Sequence, residues 1–420
     1  MRRYLFLMTI LALLAVSAII PESRKVMLMQ ARYLATARIY PGFSYTSFFD
    51  SSIPSALARN ADISLENEWQ TWIARGQLDY PRARGYCRKA VNAAPNQPET
   101  YAAAIEAIGY RAPYDRPEMG RGYGNRQMDP KIGRSMLEAG EKGSQADPNN
   151  AFFGMVQAYA LFGMHKDKEA LEAVKVAGRK SDYTSYHSAA GRYARRYMRA
   201  AGFPEMECCI AGLGGCDAYL DYITKACQMT AWYAKCSLGA GQPAQTKQLL
   251  DAVLNVGSLM HRHAHSGTEY LASTRTEWSV GKVVPKDPLP PGRDDKEEDR
   301  LRAQQISKFL AAKGWSGLAV SWNEEMRLGQ VFRDRWNPDL LGHPLFVSGC
   351  VMAAAQVASI SLAMFIVTSI LVGLLSLILR RRSTPLLPTR WTHAVPTVLG
   401  LGSCLGVIAW FTYHQFTEFW

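Results

Sequence analysis

The chain has 420 residues, of which 48% are apolar and 20% are charged, and its formal net charge is +12. This composition excludes an intrinsically disordered chain and is sufficient for a folded domain with its own core. Six of the 48 basic residues flank apolar segments and one of the 36 acidic residues lies in the C-terminal tail, which leaves a net charge of +7 on residues 21–345.

The first predicted element is an apolar segment at residues 4–20, which follows Arg2 and Arg3. As a helix it would extend about 26 Å, at the short end for a hydrocarbon core of about 30 Å. The basic start, the apolar stretch and the small residues near its end are also typical of a signal peptide. We therefore predict a transmembrane signal-anchor at residues 1–20, with a cleaved signal peptide as the alternative.

Residues 21–281 are predicted to form an all-α domain, because they are rich in Ala and helical in period and show no convincing strand alternation. Three segments share one spacing: a small residue at position i, a bulkier residue at i+4 and another small residue at i+7. The positions are Ala83, Cys87 and Ala90, then Ala170, Val174 and Ala177, then Thr246, Leu250 and Val253.

These segments resemble the tetratricopeptide repeat family, in which small residues at such positions let two antiparallel helices approach closely. Pro95 stands where the family has its proline, whereas Asp182 replaces it in the second segment. Gly154 and Gln157 stand where an aromatic residue and a leucine are usual. The resemblance covers part of the domain and implies a repeat-like array of helical hairpins. An irregular helical bundle is the alternative.

A long loop is predicted at residues 109–130, which contain too many Gly and Pro residues for a helix or a strand. Arg and Tyr alternate within it, and these residue types carry much of the binding energy at protein interfaces. We predict a partner-binding surface there, with a solvated loop as the alternative. Its residues are Tyr110, Arg111, Tyr114, Arg116, Arg121, Tyr123 and Arg126.

A basic stripe at helical spacing follows in the chain and consists of Arg192, Arg195, Arg196 and Arg199. A solvated helix face is the simple interpretation of this pattern. The alternative is a surface that contacts lipid headgroups or an acidic polymer.

A histidine cluster at His261, His263 and His265 is the closest approach to a metal motif in this chain. On one helix His261 and His265 would share a face that Glu269 extends by a turn, and two imidazoles and a carboxylate suit zinc. Histidines near the end of a helix also suit its dipole. The sequence therefore predicts a candidate metal site at His261, His265 and Glu269, and it predicts no cofactor.

Residues 282–300 are rich in Pro and then in charge, which predicts an extended, exposed linker. Residues 301–345 are predicted to be a juxtamembrane helical segment in which Trp315, Trp322 and Trp336 lead back to the membrane.

The C-terminal region contains two apolar segments separated by basic residues. We predict an interfacial segment and a transmembrane helix at 346–379, and a transmembrane helix with an aromatic tail at 393–420. Between them, residues 380–392 are predicted to be a cytoplasmic loop, because Lys and Arg that flank a span favour the cytoplasm. Gly402 and Gly406 form a GxxxG motif, which favours a close hairpin between the two spans over dimerisation.

This topology predicts a multi-pass protein of the cytoplasmic (inner) membrane whose main domain is extracytoplasmic. Six of the eight cysteines then lie in a compartment that permits disulfides, and their even number favours pairing. The disulfide candidates are Cys87, Cys208, Cys209, Cys216, Cys227 and Cys236.

The function predicted from these features is a membrane-anchored extracytoplasmic scaffold or partner-binding subunit of an envelope assembly. The expected partner is a protein of the membrane or envelope, with anionic lipid or wall polymer as alternatives, and nucleic acid is not expected outside the cytoplasm. An extracytoplasmic envelope enzyme, which the histidine cluster would make metal-dependent, is the second interpretation. An accessory subunit that docks through its C-terminal hairpin is the third. No catalytic residue is predicted.

Overall fold

Helices account for the regular structure of the part of the chain that the computed structural model describes. The described residues are 57–109, 114–119, 125–202, 208, 218–264, 267–285 and 295–335. Within these ranges the structure has α-helices, short 3-10 helices and two isolated bridges, and it has no strand. The prediction of an all-α domain is therefore confirmed.

Twelve α-helices follow one another in these ranges. They are α1 (Glu68–Leu78), α2 (Ala83–Ala93), α3 (Pro98–Gly109), α4 (Pro130–Ala146), α5 (Ala151–Gly163), α6 (Asp167–Ala177), α7 (His187–Ala200), α8 (Ala218–Gly239), α9 (Pro243–Arg262), α10 (Gly267–Trp278), α11 (Asp295–Ala312) and α12 (Ser316–Arg335). Three 3-10 helices accompany them at Tyr80–Arg82, Pro117–Met119 and Ser279–Val283.

The predicted membrane segments at 1–20, 346–379 and 393–420 lie outside the described residues, and so do Gly402, Gly406 and Trp336. Among the helices that are described, none combines the length and the apolar character that a membrane crossing requires.

Neighbouring helices in the sequence pack against each other as hairpins. The strongest contacts join α5 with α6, α1 with α2, α4 with α5, and α8 with α9, and further contacts join α3 with α4, α9 with α10, and α2 with α3. Short loops produce this arrangement because they leave consecutive helices side by side. Gly241, with a φ of 73°, makes the turn between α8 and α9 in the left-handed region that favours glycine.

The small and bulky residues of the repeated spacing lie on the packed faces of these hairpins. All nine positions of the three segments are buried, and they are Ala83, Cys87, Ala90, Ala170, Val174, Ala177, Thr246, Leu250 and Val253. Small residues of other helices complete the contacts: a Cβ added at Gly154 would lie 3.1 Å from the Cβ of Ala177. The helices therefore approach each other where the side chains are small.

Helix α7 departs from a simple linear stack because it packs back onto α1, which precedes it by more than 100 residues. The contact includes a buried Arg75, whose Nε donates to the hydroxyl of Tyr197 at 3.1 Å. A guanidinium nitrogen of Arg75 also donates to the carbonyl oxygen of Asn60 at 2.6 Å. A regular solenoid has contacts only between neighbouring repeats, so this long-range contact makes the array irregular.

The segment predicted as a linker, 282–300, differs from that expectation at both ends. Val283 is buried in the 3-10 helix, and α11 already begins at Asp295. Glu297 and Glu298 favour this early start, because acidic side chains near the N-terminus of a helix interact favourably with its dipole. Residues 286–294 lie outside the described ranges.

Helices α11 and α12 belong to the same hydrophobic core as the preceding helices. Leu310, Trp315 and Trp322 are buried in that core. The rings of Trp278 and Trp322 meet edge to face at 5.6 Å, and the indole N–H of Trp322 donates to the carbonyl oxygen of Ala303 at 3.0 Å. Burying these large rings explains why the segment folds back onto the domain.

Two glycines test whether close helix contacts stabilise the domain. A Cβ added at Gly143 in α4 would lie 2.3 Å from the ring of Phe153, whereas one added at Gly85 in α2 would have no neighbour within 4 Å. We expect Gly143→Ala to lower the free energy of unfolding by about 1–3 kcal/mol, because the added methyl group overpacks this contact. Gly85→Ala should raise the free energy of unfolding by about 0.5–1 kcal/mol, because alanine loses less backbone freedom on folding than glycine does. Melting followed by circular dichroism measures both, and a destabilised Gly85→Ala with a neutral Gly143→Ala would contradict the packing described.

Candidate functional site

The described ends of the Tyr/Arg loop are held by the protein's own core. Tyr114 is fully buried, with its ring centroid 4.7 Å from that of Tyr159. The backbones of Asp115 and Arg126 exchange two hydrogen bonds of 2.9 Å, which close the loop at its base. The side chain of Arg126 is exposed. Tyr110, Arg111, Arg121 and Tyr123 lie outside the described residues.

Arg116 is the centre of a partly buried ion cluster. Its guanidinium donates to both carboxylate oxygens of Asp167, at 2.6 and 3.3 Å, and to Glu118 at 2.9 Å. The hydroxyl of Tyr233 donates to the same Asp167 carboxylate. The hydrogen bond from Arg116 lowers the pKa of Glu118. Since both Tyr114 and Arg116 face inward, the structure does not present them to a partner, unlike Arg126.

The basic stripe on α7 does lie on an outer face. Arg192, Arg196 and Arg199 are exposed and Arg195 is half-buried. The apolar side of the helix, which includes Tyr197, is buried. A helix with one apolar and one charged side is typical of the surface of a globular domain.

Half-buried aromatic rings on α1 join this stripe to helix α2. Trp69 contacts Tyr193 of α7 edge to face at 5.5 Å, and Trp72 stacks on Tyr86 of α2 at 6.1 Å. The ammonium of Lys89 lies 4.2 Å from the Trp72 ring, in a cation–π contact. We call this surface the Trp–Arg face. Its members are Trp69, Trp72, Tyr86, Lys89, Arg192 and Arg196.

A groove of about 260 Å³ lies on the other side of α2, where that helix meets α3 and α4. Exposed Arg84, Arg88 and Lys131 surround it, and the buried Cys87 lines its interior. Helix α2 therefore has cations towards the groove as well as towards the Trp–Arg face.

A second candidate site is a cluster of three titratable side chains on three helices. His261 of α9, Glu277 of α10 and Glu325 of α12 bring one potential ligand atom each within 4.8 Å of one another. Nδ1 of His261 lies 3.2 Å from Oε2 of Glu325 and 3.5 Å from Oε1 of Glu277. The hydroxyl of Ser258 donates to Glu325 at 2.6 Å. Tyr270 packs edge to face on the His261 ring at 4.4 Å.

Burial and mutual contact shift all three pKa values in this cluster. Burial raises the pKa of Glu277 to about 7, against the opposing effect of His261. Burial lowers the pKa of His261, but the two carboxylates outweigh it and raise the value to about 9. Burial also opposes the charged form of Glu325, yet the hydrogen bonds from His261 and Ser258 hold its pKa below the usual range.

This cluster shares only His261 with the metal site predicted from the sequence. Helix α9 ends at Arg262, so the predicted helical face shared by His261, His265 and Glu269 does not form. Glu269 lies on α10 and accepts a hydrogen bond of 2.7 Å from Ser185. His263 contacts Asp182 at 3.3 Å, and His265 lies outside the described residues.

The cysteines have different environments. Cys87 and Cys227 are buried free thiols and Cys236 is an exposed free thiol. Burial, with a smaller effect of Glu106, raises the pKa of Cys87 to about 12, which keeps this thiol protonated and unreactive. Cys208 is buried. Cys209 and Cys216 lie outside the described ranges, so pairing within 208–236 stays a prediction.

Comparisons with protein-family models, with curated proteins and with solved structures found no match. The side chains described above are therefore the basis for assigning a function.

Sequence reasoning missed the rings of the Trp–Arg face and the two carboxylates beside His261. Trp69 and Trp72, three residues apart, are a helical-face signal that could have been recognised. Glu277 and Glu325 have no such signal, because they meet His261 only through the packing of three helices.

Arg116 and Arg126 provide a matched test of which loop residues are structural. Arg116→Ser would leave Asp167 without its buried partner and should destabilise the protein by about 3–5 kcal/mol. Arg126→Ser removes an exposed side chain and should change stability by less than about 0.5 kcal/mol. Thermal melting of the two variants measures the difference. Equal melting temperatures would show that the Arg116–Asp167 pair is not a stabilising contact.

Proposed function

We propose that this chain is a membrane-anchored, extracytoplasmic scaffold that recruits an acidic protein partner to an envelope assembly through its Trp–Arg face. The proposal takes the helical hairpins as tetratricopeptide-like repeats, and it leaves pairing to Cys209 and Cys216, since Cys227 and Cys236 are free thiols. The observation that carries it is the combination of partly accessible Trp and Tyr rings with exposed cations on α1, α2 and α7.

The composition of the Trp–Arg face supports binding of a protein. Trp, Tyr and Arg are the side chains that most often dominate the energy of protein interfaces. Trp69 and Trp72 are held by Tyr193 and Tyr86, so a partner would meet rings that are already ordered. Binding to an ordered surface loses less conformational entropy than binding to a mobile one.

The charges of this face support an acidic partner. Lys89, Arg192 and Arg196 are all exposed. The exposed Glu68 accepts a hydrogen bond of 3.0 Å from the indole N–H of Trp72. These exposed side chains are three cations and one acid, and complementary charge steers association and selects partners. The basic groove beside α2 extends the same sign of charge across the surface.

The location of the scaffold rests on the apolar segments outside the described residues. If residues 1–20, 346–379 and 393–420 cross the membrane, the flanking arginines orient the domain away from the cytoplasm. The domain would then meet proteins of the envelope.

An enzyme is the less supported interpretation. The cluster of His261, Glu277 and Glu325 has the chemistry of an active site, but the side chain of Glu277 is completely buried and those of His261 and Glu325 are 9% and 10% exposed. A catalytic centre requires space for a substrate beside its reacting groups. The closed surroundings of this cluster favour a structural role instead.

Charge reversal tests the proposed interface. The double variant Arg192→Glu and Arg196→Glu should lower recovery of the partner at least about tenfold, because each change converts attraction into repulsion. The measurement is quantitative mass spectrometry of proteins that co-purify with the full chain from gently solubilised membranes. Lys168→Glu with Arg179→Glu is the matched control, since both residues are exposed and lie on or next to α6.

The proposal requires that the control pair keep the partner while the α7 pair loses it. Equal recovery with both double variants would contradict a role for the Trp–Arg face. Loss of binding to vesicles containing phosphatidylglycerol, with protein partners unchanged, would instead identify the face as a lipid-binding surface.

A further inference from the structure

We propose that His261, Glu277 and Glu325 form a structural binding site for a zinc-type divalent cation, which stabilises the packing of helix α12 against α9 and α10. This inference does not depend on the proposed partner, because it concerns the opposite end of the described chain and a buried cluster rather than a surface.

The spacing of the three side chains suits such an ion. Zinc lies about 2.0–2.1 Å from nitrogen and oxygen ligands, so two ligands of a tetrahedral site are separated by about 3.3 Å. Nδ1 of His261 lies 3.2 Å from one carboxylate oxygen of Glu325 and 3.5 Å from one of Glu277. These two separations are close to the expected one, and all three ligand atoms lie within 4.8 Å of one another. Rotations of the carboxylate side chains would therefore fill three of the four tetrahedral positions.

Glu277 provides the independent evidence for a missing partner. Its side chain has no exposed area, and neither carboxylate oxygen has a hydrogen-bond partner among the described residues. A buried carboxylate without hydrogen bonds is costly, and the cost falls when the group is paired or coordinates a metal. The nearest positive group is His261, whose Nδ1 lies 3.5 Å from Oε1 of Glu277, at the limit of hydrogen-bond distance.

The charges and the surroundings of the cluster fit a divalent ion. Two carboxylates balance the charge of the ion, and the imidazole releases its proton to solvent when it binds. Histidine with carboxylates is a donor set that zinc accepts. Ser258 donates to the second oxygen of Glu325 at 2.6 Å, as supporting hydrogen bonds commonly orient a metal ligand. Tyr270 fixes the plane of the His261 ring by its edge-to-face contact.

The site would act on the fold rather than on a substrate. Its three ligands come from three helices, and the hydroxyl of Tyr270 on α10 also donates to the carbonyl oxygen of Leu328 on α12 at 3.4 Å. An ion that binds only the folded state stabilises it by RT ln(1 + L/Kd), where L is the free ion concentration. Because α12 leads towards the predicted membrane span, the ion would fix the last part of the domain that precedes the membrane.

The test uses the untagged full chain in detergent with zinc as the only added metal. Zinc binding is measured by competition with a chromophoric chelator, and the melting temperature is recorded with zinc and with EDTA. We expect one tightly bound zinc per chain and a melting temperature that falls on chelation. Glu277→Gln keeps the shape but not the charge, and it should weaken binding more than about 10–100-fold, the usual loss from removing a supporting residue of a metal site.

Two further variants keep the result interpretable. Glu325→Gln should also lose zinc binding, which covers the case in which Glu277→Gln does not fold. His263→Ala should retain it, because His263 is a nearby, part-exposed histidine that contacts Asp182 rather than the cluster.

Three results would overturn the site. A wild type whose melting temperature responds neither to zinc nor to EDTA would identify His261 and Glu277 as a buried pair that shares a proton. Zinc binding that survives both Glu277→Gln and Glu325→Gln would place the ion elsewhere. Loss of binding in His263→Ala would identify the surface histidines as the ligands.

Discussion

Close contact between helices at small residues is the constraint on which this domain depends. A Cβ added at Gly178 would lie 2.7 Å from the backbone of Ala252, and one added at Gly109 would collide with Tyr222. Where backbones approach this closely, apolar area is buried without large side chains. Close approaches at glycine also occur between α1 and α2 of the Trp–Arg face and between α9 and α10, which hold His261 and Glu277. Helix α7 is instead placed on α1 by larger side chains.

The helical class was predictable because periodicity and small-residue spacing are properties of short segments. The buried alanines of α2 and α6 follow directly from that spacing. The start of α11 was missed because its charged residues resemble a linker, although Glu297 and Glu298 also suit the first turns of a helix. The return of α7 to α1 was not predictable, since no local pattern specifies a contact across more than 100 residues.

The candidate sites were predicted less completely than the fold for the same reason. His261 was identified by its neighbours in sequence, but its structural partners come from two other helices. Arg116 is of a residue type that is common at interfaces, yet its side chain is partly buried because it pairs with the carboxylate of Asp167. The sequence thus identifies residue types capable of chemistry or binding, whereas tertiary packing decides which of them face solvent and which face each other.

Photo-crosslinking in living cells tests the central claim most directly. A photoreactive amino acid is placed at Arg196 on the Trp–Arg face and, in a second strain, at Arg179, which is equally exposed on another part of the domain. We predict that position 196, and not position 179, crosslinks to one acidic envelope protein. Crosslinks to cytoplasmic proteins, or the same products from both positions, would contradict an extracytoplasmic scaffold that binds through this face.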